Sequence, residues 1–342
     1  MIRFDGQVAI VTGAGGGMGR AYALELARRG AQVLVNDYGG GVLGQQDGTP
    51  GPAHAVVAEI RAAGGQAEAN GQAVGTADAA RAIVRAALDA FGRVDILVNN
   101  AGTALAGSFT AHRDEDVERH YATNLIGGHH LMRAVWALMA VQKYGRILNV
   151  SSNGALGVGG NAPYAAAKAG MLGLTLDAAI EGRPLGILVN AVMPTSYSRM
   201  IEQIPDPATV AWFRDHLAPE QVAAAMAWFL SRDCTMSGRI WLTGGGRLSS
   251  LVMAETGEVC DPDLDAERVA GVLDRIIDES RLTVVHDQAE AGARYFEHFP
   301  GPPRPVPTLA PTWSGDRFAA CGKPRASRRE SGITLSARLE EG

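Results

Sequence analysis

The chain has 342 residues, 46% of them hydrophobic and 20% charged, with 43 glycines and 16 prolines, enough for one large domain or two small ones. Thirty-one basic residues against thirty-six acidic ones leave a formal charge of −5, so no overall positive field exists to gather nucleic acid or an anionic membrane surface. Cys234, Cys260 and Cys321 lie far apart with no close Cys/His pairing, which argues against a disulfide framework or a structural zinc site and for a reducing compartment.

The N-terminal apolar run covers about five residues, short of the roughly 7 to 20 that a signal core or a membrane span needs, so a cytoplasmic protein is expected. Strands are predicted over Val8–Thr12, Gln32–Asn36, Gln66–Asn70, Ile96–Asn99, Arg146–Ser151, Ile187–Val192 and Ile240–Thr243. Helices are predicted between them, over Gly17–Arg29, Ala53–Ala63, Thr76–Phe91, Asp114–Gln142, Pro163–Glu181 and Pro219–Leu230, each with apolar residues at helical spacing. Strands so far apart in sequence are not hairpin neighbours; they require parallel, right-handed crossovers. The predicted fold is therefore α/β, a doubly wound parallel sheet of seven strands with helices on both faces, complete by about residue 250. Residues 251–299 are expected as a helical C-terminal extension, in which Val269, Val272, Leu273, Ile276 and Ile277 form one apolar stripe. Residues 300–342, opening with PGPPRPVPTLAP, are expected to be extended or disordered.

Directly after the first strand comes Thr12-Gly13-Ala14-Gly15-Gly16-Gly17-Met18-Gly19, then a helix. Glycines here let the turn tighten and the backbone approach a pyrophosphate, while the helix N-terminus directs partial positive charge at it. The next strand ends in Asn36-Asp37, and Asp37 lies eighteen residues beyond Gly19, close to the spacing of an acid that accepts hydrogen bonds from an adenosine ribose. Its carboxylate would repel an added phosphate, and neither residues 14–19 nor Tyr38 supply a cation for one, so NAD is favoured over NADP. The alternative is that Asp37 is a solvated turn residue before the glycines at 39–41.

In SSNGALGVGGNAPYAAAKAG, Tyr164 and Lys168 are four apart and share one face of a predicted helix, and Ser151 stands thirteen residues before Tyr164 at a strand end. A phenol is a poor base at neutral pH; an adjacent ammonium favours its phenolate and lets it exchange a proton with an alcohol or ketone. Ser151 is then expected to donate to the carbonyl oxygen. Metal chemistry is not expected: His112, His120, His129 and His130 have no carboxylate at ligand spacing and read as structural or surface residues, while Trp136 and Met139 read as packing.

The joint pattern of TGAGGGMG, the NNAG of Asn99 to Gly102, Asn124, and Ser151 with Tyr164-x-x-x-Lys168 resembles the short-chain dehydrogenase/reductase family over residues 4–247. The resemblance implies a Rossmann-type domain with Asn124, Ser151, Tyr164 and Lys168 as the catalytic four, Asn124 holding a kinked helix and a water that links Lys168 to solvent. It implies NAD contacts from Gly13, Gly17, Met18 and Gly19, from Asp37, from Gln72 and Ala73 beyond the third strand, and from Asn100, Ala101 and Gly102. Tyr164 and Lys168, with Pro194, Thr195 and Ser198 after the sixth strand, complete that set. Ser152 competes with Ser151, but one step along a strand points to the opposite face, which favours Ser151. Here Met193-Pro194-Thr195 replaces the family's common Pro-Gly, and Asn70-Gly71-Gln72-Ala73 stands where many relatives carry an acid against adenine.

A narrower similarity, carried by GRAYALELARRGAQVLVNDYGG, WALMAVQKYGRILNVSS and Ala179-Ile180-Glu181-Gly182-Arg183, is to the NAD-dependent (3R)-hydroxyacyl-CoA dehydrogenase domains of type-two multifunctional enzymes and their bacterial relatives. It implies an alcohol dehydrogenase acting on an acyl-CoA or a sterol, and a homodimer or homotetramer. The alternatives are a hydroxysteroid or small-carbonyl enzyme and a non-catalytic nucleotide-binding scaffold. Ser196 to Leu217, with Met200, Ile201, Ile204, Trp212 and Phe213, is expected either to cover the substrate or to pack on its own core; Arg199 and Arg214 are candidates to meet CoA phosphates.

Overall fold

The computed structural model describes residues 1–41, 51–104 and 106–297, all within the unit Met1–Pro311. The expectations for residues 300–342, and for the middle of the Gly39–Pro52 loop, lie outside the described residues. In chain order the main elements are β1 Val8–Thr12, α1 Gly17–Arg28, β2 Gln32–Asn36, α2 Gly51–Ala62, β3 Gln66–Asn70, α3 Ala77–Phe91 and β4 Ile96–Asn99. There follow α4 Asp114–Tyr121, α5 Gly127–Gln142, β5 Gly145–Val150, α6 Ala162–Gly182, β6 Ile187–Pro194, α7 Pro207–His216 and α8 Pro219–Phe229. The chain continues through β7 Ile240–Gly244, β8 Arg247–Leu251, β9 Met253–Glu255, α9 Ala266–Ile276, β10 Thr283–Val285 and α10 Gln288–Glu297.

The main sheet has the order β3-β2-β1-β4-β5-β6-β7-β8. All pairings from β3 to β7 are parallel, and β8 closes the edge antiparallel to β7. The seven-stranded expectation is thus corrected to eight: Gly244-Gly245-Gly246 turns the chain back, and Arg247-Leu248-Ser249-Ser250-Leu251 pairs along β7. Alternate residues of each central strand enter different cores. Ala9, Val11, Val33, Val35, Ile96 and Val98 pack with α1, α2 and α8, whereas Ile10, Leu34, Leu97 and Ile147 pack with α3, α5 and α6. A strand buried at every position, such as VAIVT, is what a sheet covered on both faces demands.

Two other expectations change. The predicted helix Asp114–Gln142 is interrupted by one wide π-helical turn, Ala122–Ile126, between α4 and α5. Among the described residues, the expected helical extension 251–299 is not simply helical: β10 lies between α9 and α10 and pairs antiparallel with β9. The α9 stripe is largely open, with Val269, Leu273 and Ile277 exposed. Ser196 to Leu217 contains a short 3-10 turn at Ile201–Gln203 and α7, which has no buried residue. Among the described residues no helix is long and apolar enough to cross a membrane.

Because β1 lies between β2 and β4, connections leave its C-terminal end toward opposite sides of the sheet, opening a crevice there. The glycine turn, Asp37, Asn100 and the Ser151–Ser152 pair all follow C-terminal strand ends at this edge.

Candidate active site

The glycine turn is held by close packing with the loop after β4. Gly13 has φ +61°, and a Cβ there would stand 2.8 Å from Ala101 Cα; one on Gly19 would stand 2.1 Å from the Gly13 carbonyl oxygen. Neither position accommodates a side chain without moving backbone. Asn100 Nδ2 donates to the carbonyls of Thr12 and Gly13 at 2.9 and 3.1 Å, and the amides of Asn100 and Ala101 donate to Thr12 Oγ1. Those bonds fix the NNAG turn beside the N-terminus of α1.

Asp37 is 8% exposed. Its carboxylate accepts from the Gly15 amide and the Gly39 amide, each at 2.7 Å, so it is anchored between the glycine turn and the end of β2. Asn36 Nδ2 donates to Asn70 Oδ1 and to the Gln72 carbonyl, both at 2.9 Å, which draws Gln72 and Ala73 to the same edge, exposed. A turn free of side chains, a helix N-terminus and an anchored carboxylate make a cradle that fits a dinucleotide with an unphosphorylated ribose.

The predicted catalytic residues gather from three elements. Asn124 lies in the π-helical turn and is 3% exposed. Its Nδ2 donates to the His120 carbonyl at 3.0 Å, giving that carbonyl a partner inside the widened turn, and its Oδ1 accepts from the Thr103 amide at 3.1 Å. A Cβ on Gly102 would stand 2.7 Å from Asn124 Oδ1 and 3.5 Å from Lys168 Nζ, so these two groups flank the NNAG turn.

Lys168 is 4% exposed and donates from Nζ to the Val150 carbonyl at 2.8 Å. Burial pushes its pKa down to about 8. The Tyr164 ring centroid is 5.7 Å from Nζ. Burial raises the Tyr164 phenol, and a hydrogen bond with the Ser152 side chain opposes that rise. Lys168 Nζ thus donates to a backbone carbonyl, and Ser152 is the side chain hydrogen-bonded to the phenol.

The two serines also exchange places relative to the expectation. Ser151 still belongs to the ladder, its amide donating to the Val192 carbonyl at 2.8 Å; its Oγ donates to the Lys168 backbone carbonyl at 2.8 Å, and it is 2% exposed. Ser152 has left the strand. It caps the 3-10 turn Asn153–Leu156, its Oγ accepting from the Gly154 amide at 3.0 Å, and it is the serine beside Tyr164. Counting back from Tyr164 selected Ser151; counting forward from the last paired residue of β5 would have selected Ser152.

Beyond β6, the Thr195 amide donates to the Thr243 carbonyl, and Asn153 Nδ2 donates to Thr195 Oγ1 at 2.8 Å, so the Pro194–Ser198 segment joins the serine turn. Arg214 is engaged by Tyr197, at 3.3 Å from its hydroxyl and with the guanidinium 5.3 Å from its ring centroid, while Arg199 is exposed. Sequence reasoning read His120 as structural and passed over Thr103, which has no motif to mark it; both border Asn124. Among the described residues no cluster of three or more metal-binding side chains occurs. Met139 is fully buried, and Trp136 packs against the same core.

The sequence profile of the family described as short chain dehydrogenase matches residues 7–203. The peroxisomal multifunctional enzyme type 2 of Mus musculus is 45% identical over 252 residues, 73% of this chain but 33% of that protein, so the chain spans about a third of it. A Mycobacterium tuberculosis protein described as a short-chain type dehydrogenase/reductase is 40% identical over 251 residues, covering 72% of this chain and 85% of that one. A solved 7 alpha-hydroxysteroid dehydrogenase, complexed with NADH and a 7-oxo bile acid, superposes with a TM-score of 0.64 at 30% identity, covering 71% of this chain and 95% of that one. With the glycine cradle and the Tyr164-Lys168 pair at one sheet edge, these matches make the chain a member of the short-chain dehydrogenase family.

Proposed function

We propose that the protein is an NAD-dependent oxidoreductase that interconverts a secondary alcohol and a ketone, with a 3-hydroxyacyl-CoA as its substrate. The observation that carries this reading is the meeting of Ser152, Tyr164 and Lys168 beside the glycine turn at the C-terminal edge of the sheet. Gly13, Gly17, Met18 and Gly19 would receive the pyrophosphate, Asp37 the adenosine ribose, and Gln72 and Ala73 the adenine. Asn100, Ala101, Gly102 and Lys168 would line the cofactor's path toward Pro194, Thr195 and Ser198 at the nicotinamide. When bound, NAD supplies the acceptor for the hydride that leaves the carbinol carbon.

Tyr164 takes the hydroxyl proton as that C–H bond breaks, and returns it in the reverse direction. Ser152 donates to the substrate oxygen, in the role first expected of Ser151. Lys168 would hold the cofactor ribose and supply positive charge behind the phenol once the cleft is filled. Asn124 keeps the turn that shapes the floor.

Support for an apolar substrate tail comes from Phe109, Leu156, Val158 and Trp212, which are exposed on the loops that follow β4 and β5 and on α7. The amide of Gly107 donates to the Gly160 carbonyl at 2.9 Å, joining the first two loops. The same apolar residues would suit a hydroxysteroid, the second reading, favoured by the likeness to the bile-acid enzyme. Residues 1–250 would carry catalysis and 251–299 form an extension, in a cytoplasmic homodimer or homotetramer. Light scattering reports the assembly. NAD reduction measured with (3R)-hydroxybutyryl-CoA, a longer (3R)-hydroxyacyl-CoA, a 7-hydroxysteroid and simple secondary alcohols tests the substrate. Turnover of the steroid alone would replace the acyl-CoA reading. Replacing Tyr164 by Phe should lower kcat by roughly 10²- to 10⁴-fold with NAD binding retained; unchanged turnover would remove the mechanism.

A further inference from the structure

Two buried side chains that the proton-transfer reading leaves unused, Thr103 and His120, lie behind its machinery. His120 is 2% exposed and Thr103 7%. Thr103 follows the NNAG turn and His120 lies in the last turn of α4, four residues before Asn124. Thr103 Oγ1 stands 3.0 Å from His120 Nδ1 and accepts from Asn124 Nδ2 at 3.0 Å. Asn124 Nδ2 is also 3.2 Å from Nδ1 and 3.1 Å from Nε2 of the imidazole. The His120 ring packs on Tyr164, centroid to centroid 5.8 Å with the planes at 50°.

The hydrogen-bond directions leave little freedom. Because Asn124 Oδ1 accepts from the Thr103 amide, its NH2 group is the part that faces the imidazole. Asn124 Nδ2 has two hydrogens to share among the His120 carbonyl, Thr103 Oγ1 and the ring, and its near-equal distances to both ring nitrogens set it against the imidazole face, where a neutral ring attracts an N–H and an imidazolium repels it. The surroundings keep the ring neutral: burial, the charge of Lys168 on α6 and the neighbouring His112 all push its pKa down, to about 4. A neutral ring therefore contacts the amide that flanks Gly102 on one side and the ring of Tyr164 on the other.

We propose that His120, seconded by Thr103, is a positioning residue of the redox site: its neutral imidazole fixes the Asn124 carboxamide and braces the Tyr164 ring at the geometry proton transfer needs. This rests on the reading of Tyr164 as proton carrier. Supporting side chains of this kind act on the reacting geometry rather than on ligand affinity, so their loss is read in kcat.

The test compares His120→Leu, His120→Gln, Thr103→Val and Tyr164→Phe in the full chain. The measurements are kcat and KM with whichever of the four probes above turns over fastest, and Kd for NADH by fluorescence. His120→Leu should lower kcat roughly 10- to 100-fold while KM and Kd stay within about twofold. His120→Gln, which again offers an acceptor to the carboxamide, should recover most of that loss, and Thr103→Val should fall between the two. Wild-type kcat in His120→Leu overturns the proposal. So does a His120→Gln variant as slow as His120→Leu, which would reduce the ring to filler, or a loss of NADH binding that tracks the loss of rate. If Tyr164→Phe turns over normally, the proton-carrier reading itself fails; if Tyr164→Phe is inactive and His120→Leu is not, only the present inference does.

Discussion

Ser152 and Tyr164 meet beneath Gly154: a Cβ on that glycine would stand 2.9 Å from the Tyr164 ring and 3.3 Å from Ser152 Oγ. The neighbouring Ser151 hydroxyl faces α6 instead, donating to the Lys168 carbonyl. The two hydroxyls therefore predict different phenotypes. Ser152→Ala removes the donor proposed for the reacting oxygen and should lower kcat by roughly 10²- to 10³-fold with little change in melting temperature. Ser151→Ala leaves one acceptor on α6 without its donor and should lower stability by about 1 to 2 kcal/mol while kcat stays within a few-fold. Steady-state kinetics alongside urea denaturation separates them, and the reverse pattern would restore Ser151 as the donor.

Lys168 gives a pH-dependent prediction whose sign follows from its burial. Its pKa falls from 10.5 to about 8 in the folded protein, so between those values the unfolded chain holds a proton that the folded one has released. Stability therefore rises with pH across that window, and the cost of burying the charge is fully present below about pH 8. Lys168→Met removes the cost. The stability of the variant relative to wild type should be more favourable at pH 7 than at pH 10.5 by roughly 3 kcal/mol. Urea midpoints at the two pH values report it, and a difference independent of pH would mean that Lys168 is not desolvated in the folded state.

The sheet was legible because its central strands are short, mostly apolar runs. Runs such as VAIVT and ILVN are buried on both faces, which leaves a parallel, helix-covered sheet as the natural solution. β8 escaped because RLSSL is exposed at the sheet edge, and its pairing is fixed by the turn at Gly244–Gly246 rather than by hydrophobic pattern. Tyr164 and Lys168 were legible as a pair at helical spacing, whereas Asn124 came only with the family resemblance. The choice between adjacent serines was not, because it depends on where β5 stops: the ladder ends at Val150 paired with Val192, Ser151 still donates across it, and Ser152 turns away. His120 could not be separated from an ordinary core histidine in one dimension, since its partners are Thr103, seventeen residues earlier, and the carboxamide of a helical turn. The apolar stripe of α9 was visible, but the three-residue strand β10 after it was too short to carry a period.

Asp37 offers a test of cofactor choice independent of turnover. Its carboxylate is anchored by two backbone amides, and residues 38–41 are Tyr-Gly-Gly-Gly, so no cation adjoins it in the chain to neutralise a 2′-phosphate. Asp37→Ser should weaken NAD binding by about tenfold, the worth of one or two charge-assisted hydrogen bonds to a ribose, and should narrow the preference over NADP by more than that as repulsion is lost. Calorimetric titration of both dinucleotides measures the change. Tighter binding of NADP than NAD by the unsubstituted protein would reverse the assignment.

The acid limb of stability should carry the signature of His120. Burial, then the charge of Lys168, then His112 hold its folded pKa at about 4 against 6.5 for the free side chain. Below pH 6.5 the unfolded chain takes up a proton that the folded protein refuses, so stability falls as pH drops and continues to fall until the ring is protonated in both states. Over that interval the loss attributable to this residue is roughly 3 kcal/mol. Protonation would also set a positive ring against the Asn124 NH2 group, which disfavours the charged form further. His120→Gln has no such group and should show a flatter decline between pH 7 and pH 4, narrowing any stability deficit it has at neutral pH. Urea unfolding of the two proteins across that range decides the matter: parallel curves would mean that His120 titrates normally in the folded protein, and with that the requirement for a neutral ring behind Tyr164 would be lost.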